Sequence, residues 1–158
     1  MRLYISRHGE AVGTAATDAE RALTERGREA LVDHWQRLKA SGVRVSGLLV
    51  SPYLRAQQTA DCIAKVYDGL KRQECAELVP EASPHRLLEW LLLNPVGEET
   101  VLVSHMPLVA QLTGVWTGSV DRIGYAVGTV SCLDVDVAAA EGARLIWMCS
   151  PGESLAGR

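Results

Sequence analysis

Residues 1–10 read Met1-Arg2-Leu3-Tyr4-Ile5-Ser6-Arg7-His8-Gly9-Glu10. A short apolar run ends abruptly in an arginine, a histidine and a glycine. Such a run, too brief for a helix and without alternation, reads as a strand buried on both faces. Strands of that kind belong to parallel sheets covered by helices, and the rest of the chain carries the matching alternation. After a polar loop, "LTERGREALVDHWQRLKASG" (23–42) predicts a helix with Ala30, Leu31, His34, Trp35 and Leu38 on its buried face. Thr24 is placed to cap its start and Gly42 its end. "GLLVSP" (47–52) predicts a second buried strand. "YLRAQQTADCIAKVYDG" (53–69) predicts a helix that buries Ala56, Ala60, Ile63, Ala64 and Tyr67.

Further along, "CAELVP" (75–80) predicts a third, short strand, and "SPHRLLEWLLLNP" (83–95) a helix with Ser83 as cap and Pro84 in its first turn. "ETVLVSH" (99–105) predicts a fourth strand and "MPLVAQLTGVWTG" (106–118) a fourth helix. "TVSCLDVDVA" and "ARLIWMC" flank "AAAEG" and predict a terminal hairpin. The expected fold is a three-layer α/β/α sandwich with a mixed, largely parallel central sheet. The 158 residues suit a single domain, 1–158.

The formal net charge of −3 argues against a nucleic-acid binder. No stretch of about 18 apolar residues is present, so no membrane span is expected. The apolar run at the N-terminus is too short for a signal peptide. Four widely spaced cysteines, Cys62, Cys75, Cys132 and Cys149, form no C-x-x-C pair and read as reduced and mostly buried in a cytoplasmic protein.

Three predicted strands end in reactive residues: "YISRHG", "LLVSPYLR" and "VLVSH". In open α/β sheets ligands bind beyond the carboxyl ends of the strands, so Arg7, His8, Arg55 and His105 are expected to converge. Two arginines present forked donors that match phosphoryl oxygens. A neutral imidazole among cations is a competent nucleophile toward phosphorus. A second imidazole can serve a phosphate oxygen or a proton. Gly9 is expected to let the backbone approach the ligand. The same arginines would repel a divalent cation, so neither a metal nor any other cofactor is expected. Absence of C-x5-R and of a G-K pair removes the cysteine phosphatases and the P-loop.

"RHGE", "VSPYLRAQQTA" and "VSHMPLV", in order and each after a strand, resemble the histidine phosphatase superfamily, whose members include the phosphoglycerate mutases. "RALTERG", "LVPEASP", "VSHMPLVAQL" and "LIWMCSPGESL" narrow the likeness to the SixA family of phosphohistidine phosphatases. The resemblance implies a phosphoglycerate mutase-like fold, His8 as nucleophile, and Arg7, Arg55 and His105 around the phosphate. It implies a substrate that is a histidine-phosphorylated signalling or phosphotransfer protein. Mutase-like relatives cap the pocket with extra segments; here only about Ala76 to Asn94 is available, so no large cap and a shallow pocket are expected. Glu81 is the candidate proton donor, its alternative being a loop carboxylate. Trp116 is the tryptophan expected nearest the pocket edge, Glu10 is expected to solvate its loop, and a monomer is favoured. Two other readings stay open at this point: a phosphomonoesterase of small metabolites, and a phosphohistidine-binding or relay module without turnover.

Overall fold

A computed structural model describes residues 1–155; the last three residues of the expected domain lie outside the described residues. Six strands form one sheet in the order β3-β2-β4-β1-β5-β6. They are β1 (Arg2–Arg7), β2 (Gly47–Val50), β3 (Lys71–Glu74), β4 (Thr100–Ser104), β5 (Val130–Val135) and β6 (Ala143–Cys149). The first four in spatial order run parallel, and the β5–β6 hairpin adds antiparallel to β1. The expected mixed, largely parallel sheet is therefore present.

Four helices cover it, α1 (Glu25–Ala40), α2 (Leu54–Ala64), α3 (Pro84–Leu93) and α4 (Leu108–Thr117). Successive residues of β1 serve opposite cores. Tyr4 packs with Trp35 and Leu38 of α1 and Ala56, Ala60 and Ile63 of α2. Leu3 and Ile5 pack with Leu87, Leu88 and Leu91 of α3 and Leu108, Leu112 and Trp116 of α4. Apolar side chains on both faces are why β1, β2 and β4 read as unbroken apolar runs. The Thr24 hydroxyl accepts the Gly27 amide and Ser83 accepts the Arg86 amide, as the two caps predicted.

Several expectations need correction. The third strand is not "CAELVP" but the polar segment before it, Lys71–Glu74, whose residues are all exposed. It is the sheet's outer strand, its Arg72 reaches α2 through polar contacts with Gln57 and Asp61 rather than apolar packing, and charge protects such an edge from further pairing. Cys75 and Leu78 of the expected strand are nevertheless buried, in a short turn beneath α3. Ala30 and Ala64 are exposed, while Gly27 takes the buried place at the start of α1. Residues 76–94 are used for that turn and for α3, which lies on the sheet, so this stretch builds no cap. Among the described residues no helix is long and apolar enough to cross a membrane.

Candidate active site

Strand register explains how distant residues meet. Arg7 of β1 lies abreast of Ser104 of β4, and Val103 abreast of Val50 of β2. One step further, the His8 amide donates to the Ser104 carbonyl and the Ser51 amide to the Val103 carbonyl, both at 3.0 Å. His8, Ser51 and His105 thus leave the sheet side by side. Arg55, one turn later, projects from the start of α2.

His8 is only 6% exposed. Its Nδ1 lies 2.7 Å from the Gly9 carbonyl, which can only accept, so Nδ1 carries the proton. Nε2 is left with a lone pair, and it faces the Arg55 Nε–H at 3.3 Å. Burial pushes the imidazole down to about 4; the Arg55, Arg7 and Arg21 charges act the same way, and the Gly9 carbonyl opposes them. At neutral pH His8 is therefore an uncharged imidazole with its free nitrogen turned toward a guanidinium.

His105 is buried, its ring 5.1 Å from that of His8 and 5.2 Å from that of Tyr53. Its Nε2 is 2.7 Å from the Ser51 hydroxyl. Burial, with the neighbouring His8 and Arg55, drives it down to about 2. Arg7 donates from Nη1 to the Tyr125 carbonyl at 2.7 Å. Burial and the adjacent Arg55 charge both press Arg7 below the ordinary guanidinium value. Two buried polar atoms here, Arg7 Nε and His105 Nδ1, have no hydrogen-bond partner among the described residues. Two crowded cations with unused polar atoms form a seat for an anion.

The residues that support the site lie outside the sequence expectations. Thr59 accepts the Gly9 amide at 3.1 Å and donates to the Arg55 carbonyl at 2.8 Å, so one hydroxyl ties the nucleophile's loop to the arginine's helix. It stands four residues after Arg55, on the same helix face, a spacing legible in "RAQQTA". Asp18 accepts from Arg55 twice, and Tyr53 places its ring 5.2 Å from the Arg55 guanidinium. Nothing in the polar loop singles out Asp18. Tyr125 is held by Thr113 and Ser131 through its hydroxyl, which steadies the carbonyl that Arg7 uses.

Other candidates fall elsewhere. Glu81 is exposed and accepts the Tyr53 hydroxyl at 3.3 Å, which puts it at the rim, one ring away from His105. Glu10 does more than solvate its loop, because it accepts from Thr24 and from Arg26 and so fastens the loop to α1. Trp116 does not edge the pocket. It is fully buried at the far end of α4 and donates to the Val137 carbonyl. The close approach that requires Gly9 is to Leu31 of α1, since a Cβ there would meet Leu31 Cδ1 at 2.6 Å. Gly27 answers it, because a Cβ would lie 2.4 Å from the Glu10 carbonyl oxygen. No group of three potential metal ligands is gathered among the described residues.

Residues 3–79 match the model of the histidine phosphatase superfamily (branch 1). The chain is 37% identical to phosphohistidine phosphatase SixA of Escherichia coli K12 over 120 residues, 71% of each chain. It is 32% identical to a SixA homolog of Haemophilus influenzae over 144 residues, 84% of this chain and 87% of the other. Among solved structures, the protein histidine phosphatase SixA complexed with tungstate superposes with a TM-score of 0.83 at 26% identity, covering 96% of this chain and 97% of that one.

Proposed function

The chain belongs to the histidine phosphatase superfamily, and on that footing we propose that it is a metal-independent phosphohistidine phosphatase of the SixA type. Its substrate is a phosphorylated histidine on a signalling or phosphotransfer protein. One observation carries the reading: the unprotonated Nε2 of His8 is aimed at Arg55, beside Arg7 and His105. Tungstate is a tetrahedral oxyanion, and the SixA structure that contains it shares this fold over nearly its full length.

The phosphoryl oxygens lie against Arg55 and Arg7, with Arg7 Nε and His105 Nδ1 taking up the contacts they lack. His8 Nε2 forms a bond to phosphorus as the substrate's P–N bond breaks. The electron pair goes to the departing imidazole nitrogen, which takes a proton. Glu81, at the rim on the Tyr53 hydroxyl, is the carboxyl assigned to supply it, since Asp18 is engaged by Arg21 and Arg55. Water then attacks the phosphorus on His8, its proton passing to that carboxylate. The P–Nε2 bond breaks, and phosphate leaves with His8 restored.

A protein substrate suits a pocket over which residues 76–94 build no lid. Four buried cysteines, none in a disulfide, suit a reducing, cytoplasmic compartment. The test is phosphate release from a histidine-phosphorylated phosphotransfer domain with EDTA present and the His8→Ala protein alongside. Release that survives EDTA and disappears in His8→Ala is expected. Release by His8→Ala at the wild-type rate would overturn the mechanism. Activity confined to small phosphate esters would move the substrate to metabolism.

A further inference from the structure

Arg55 has five N–H donors, and three are engaged within the protein. Nε–H serves His8 Nε2, Nη1 donates to the Asp18 carbonyl at 2.7 Å, and Nη2 donates to the Asp18 carboxylate at 3.1 Å. Asp18 therefore holds the end of the guanidinium fork with two atoms, and the edge that carries Nε is turned to His8. The arginine side chain is 5% exposed and the aspartate 55%, so a buried cation meets a carboxylate that reaches in from the surface.

That carboxylate is fixed in place. Residues 12–22 form a loop closed at its base by the Ala11–Leu23 bridge and by the Val12 amide on the Ala22 carbonyl at 2.8 Å. Within it Arg21 donates from Nη1 to Asp18 Oδ1 and from Nε to the Val12 carbonyl, both at 2.8 Å. Pinning a negative charge on the arginine that must hold phosphate has two consequences of opposite sign. It orients the fork, and it repels the anion.

We propose that Asp18 is a charge filter for the pocket: it aligns Arg55 while holding down the affinity for free phosphate, so that product leaves and ambient phosphate does not block the site. This rests on the reading of the His8 pocket as a phosphoryl site. A phosphoprotein recovers the lost attraction through the rest of its contact surface, and free phosphate has no such compensation. A carboxylate on the order of 6 Å from the anion, in a largely aqueous effective dielectric, weakens its binding about fivefold.

Direct calorimetric titration with inorganic phosphate tests this without any turnover. Asp18→Asn keeps a side-chain oxygen and the backbone carbonyl for Arg55 but removes the charge. It is expected to bind phosphate about fivefold more tightly than the wild type. Glu20→Gln is the control, because the Glu20 carboxylate accepts from Thr17 and makes no hydrogen bond or ion pair with Arg55. Its phosphate affinity should match the wild type. Unchanged or weaker phosphate binding in a folded Asp18→Asn protein would overturn the filter, and so would equal tightening in Glu20→Gln. If Asp18→Asn does not melt cooperatively, Asp18→Ser carries the same expectation. No phosphate binding in any of these proteins would overturn the pocket reading itself, and the filter with it.

Discussion

Replacing Arg55 by lysine asks whether the guanidinium fork, rather than its charge, holds the phosphoryl group. Lysine keeps the positive charge at a buried position but offers a single ammonium in place of a planar fork. It loses the Nε–H aimed at His8 Nε2 and the paired donation to Asp18. Two charge-assisted hydrogen bonds to phosphoryl oxygens, at about 1.5–2 kcal/mol each, are lost from the transition state. The sum of about 3–4 kcal/mol corresponds to a fall of roughly 200- to 1,000-fold in kcat/KM. Stability should change far less, because the Asp18 partner is more than half exposed and the ion pair with it is screened by solvent. A shift in Tm within about 4 °C is expected. The assay is initial-rate phosphate release from a histidine-phosphorylated phosphotransfer domain, with a thermal melt of the same sample. A kcat/KM within threefold of wild type would show that charge alone suffices, and the fork argument would be wrong.

Two further outcomes follow from the site. His8 and His105 are pressed down to about 4 and about 2, whereas an unfolded histidine titrates near 6.5. Between those values the unfolded chain binds more protons than the folded one. Stability should therefore be full above about pH 6.5 and fall as the pH drops toward 4, by on the order of 3 kcal/mol from His8 alone. Urea melts with the same midpoint at pH 7 and pH 5 would contradict this, as would imidazole NMR showing His8 titrating near 6.5. Thr59→Val keeps the shape but leaves the Gly9 amide unpaired in a buried place, at a cost of about 1–3 kcal/mol. It also loosens Gly9, whose carbonyl sets the His8 tautomer, so activity should fall about tenfold and return in Thr59→Ser. Wild-type activity in the valine protein would remove Thr59 from the mechanism.

Legibility in the sequence tracked burial. Leu3-Tyr4-Ile5, Gly47-Leu48-Leu49-Val50 and Val101-Leu102-Val103 announce their strands because both faces are covered. Lys71-Arg72-Gln73-Glu74 gives no such signal, since an edge strand joined by backbone hydrogen bonds needs no apolar side chains. Ala30 and Ala64 sit at plausible helix positions, yet a methyl group constrains a helix face weakly, and both are exposed. Gly27 is buried for a reason no periodicity carries, the pressure of the Glu10 carbonyl on the start of α1.

From the sequence alone came the alternation of strands and helices and the residue types at three strand ends. These suffice for a three-layer sheet and a phosphate chemistry, because hydrophobic period and side-chain chemistry are local properties of the chain. What only the tertiary structure decided is how the residues face one another. Register brings His8, Ser51 and His105 out of the sheet side by side, the Gly9 carbonyl selects the His8 tautomer, and Trp116 is carried to the far end of α4. Asp18 reaches Arg55 across 37 residues of chain. A contact between segments so distant is set by how layers stack and loops close, and the sequence around either residue holds no trace of it.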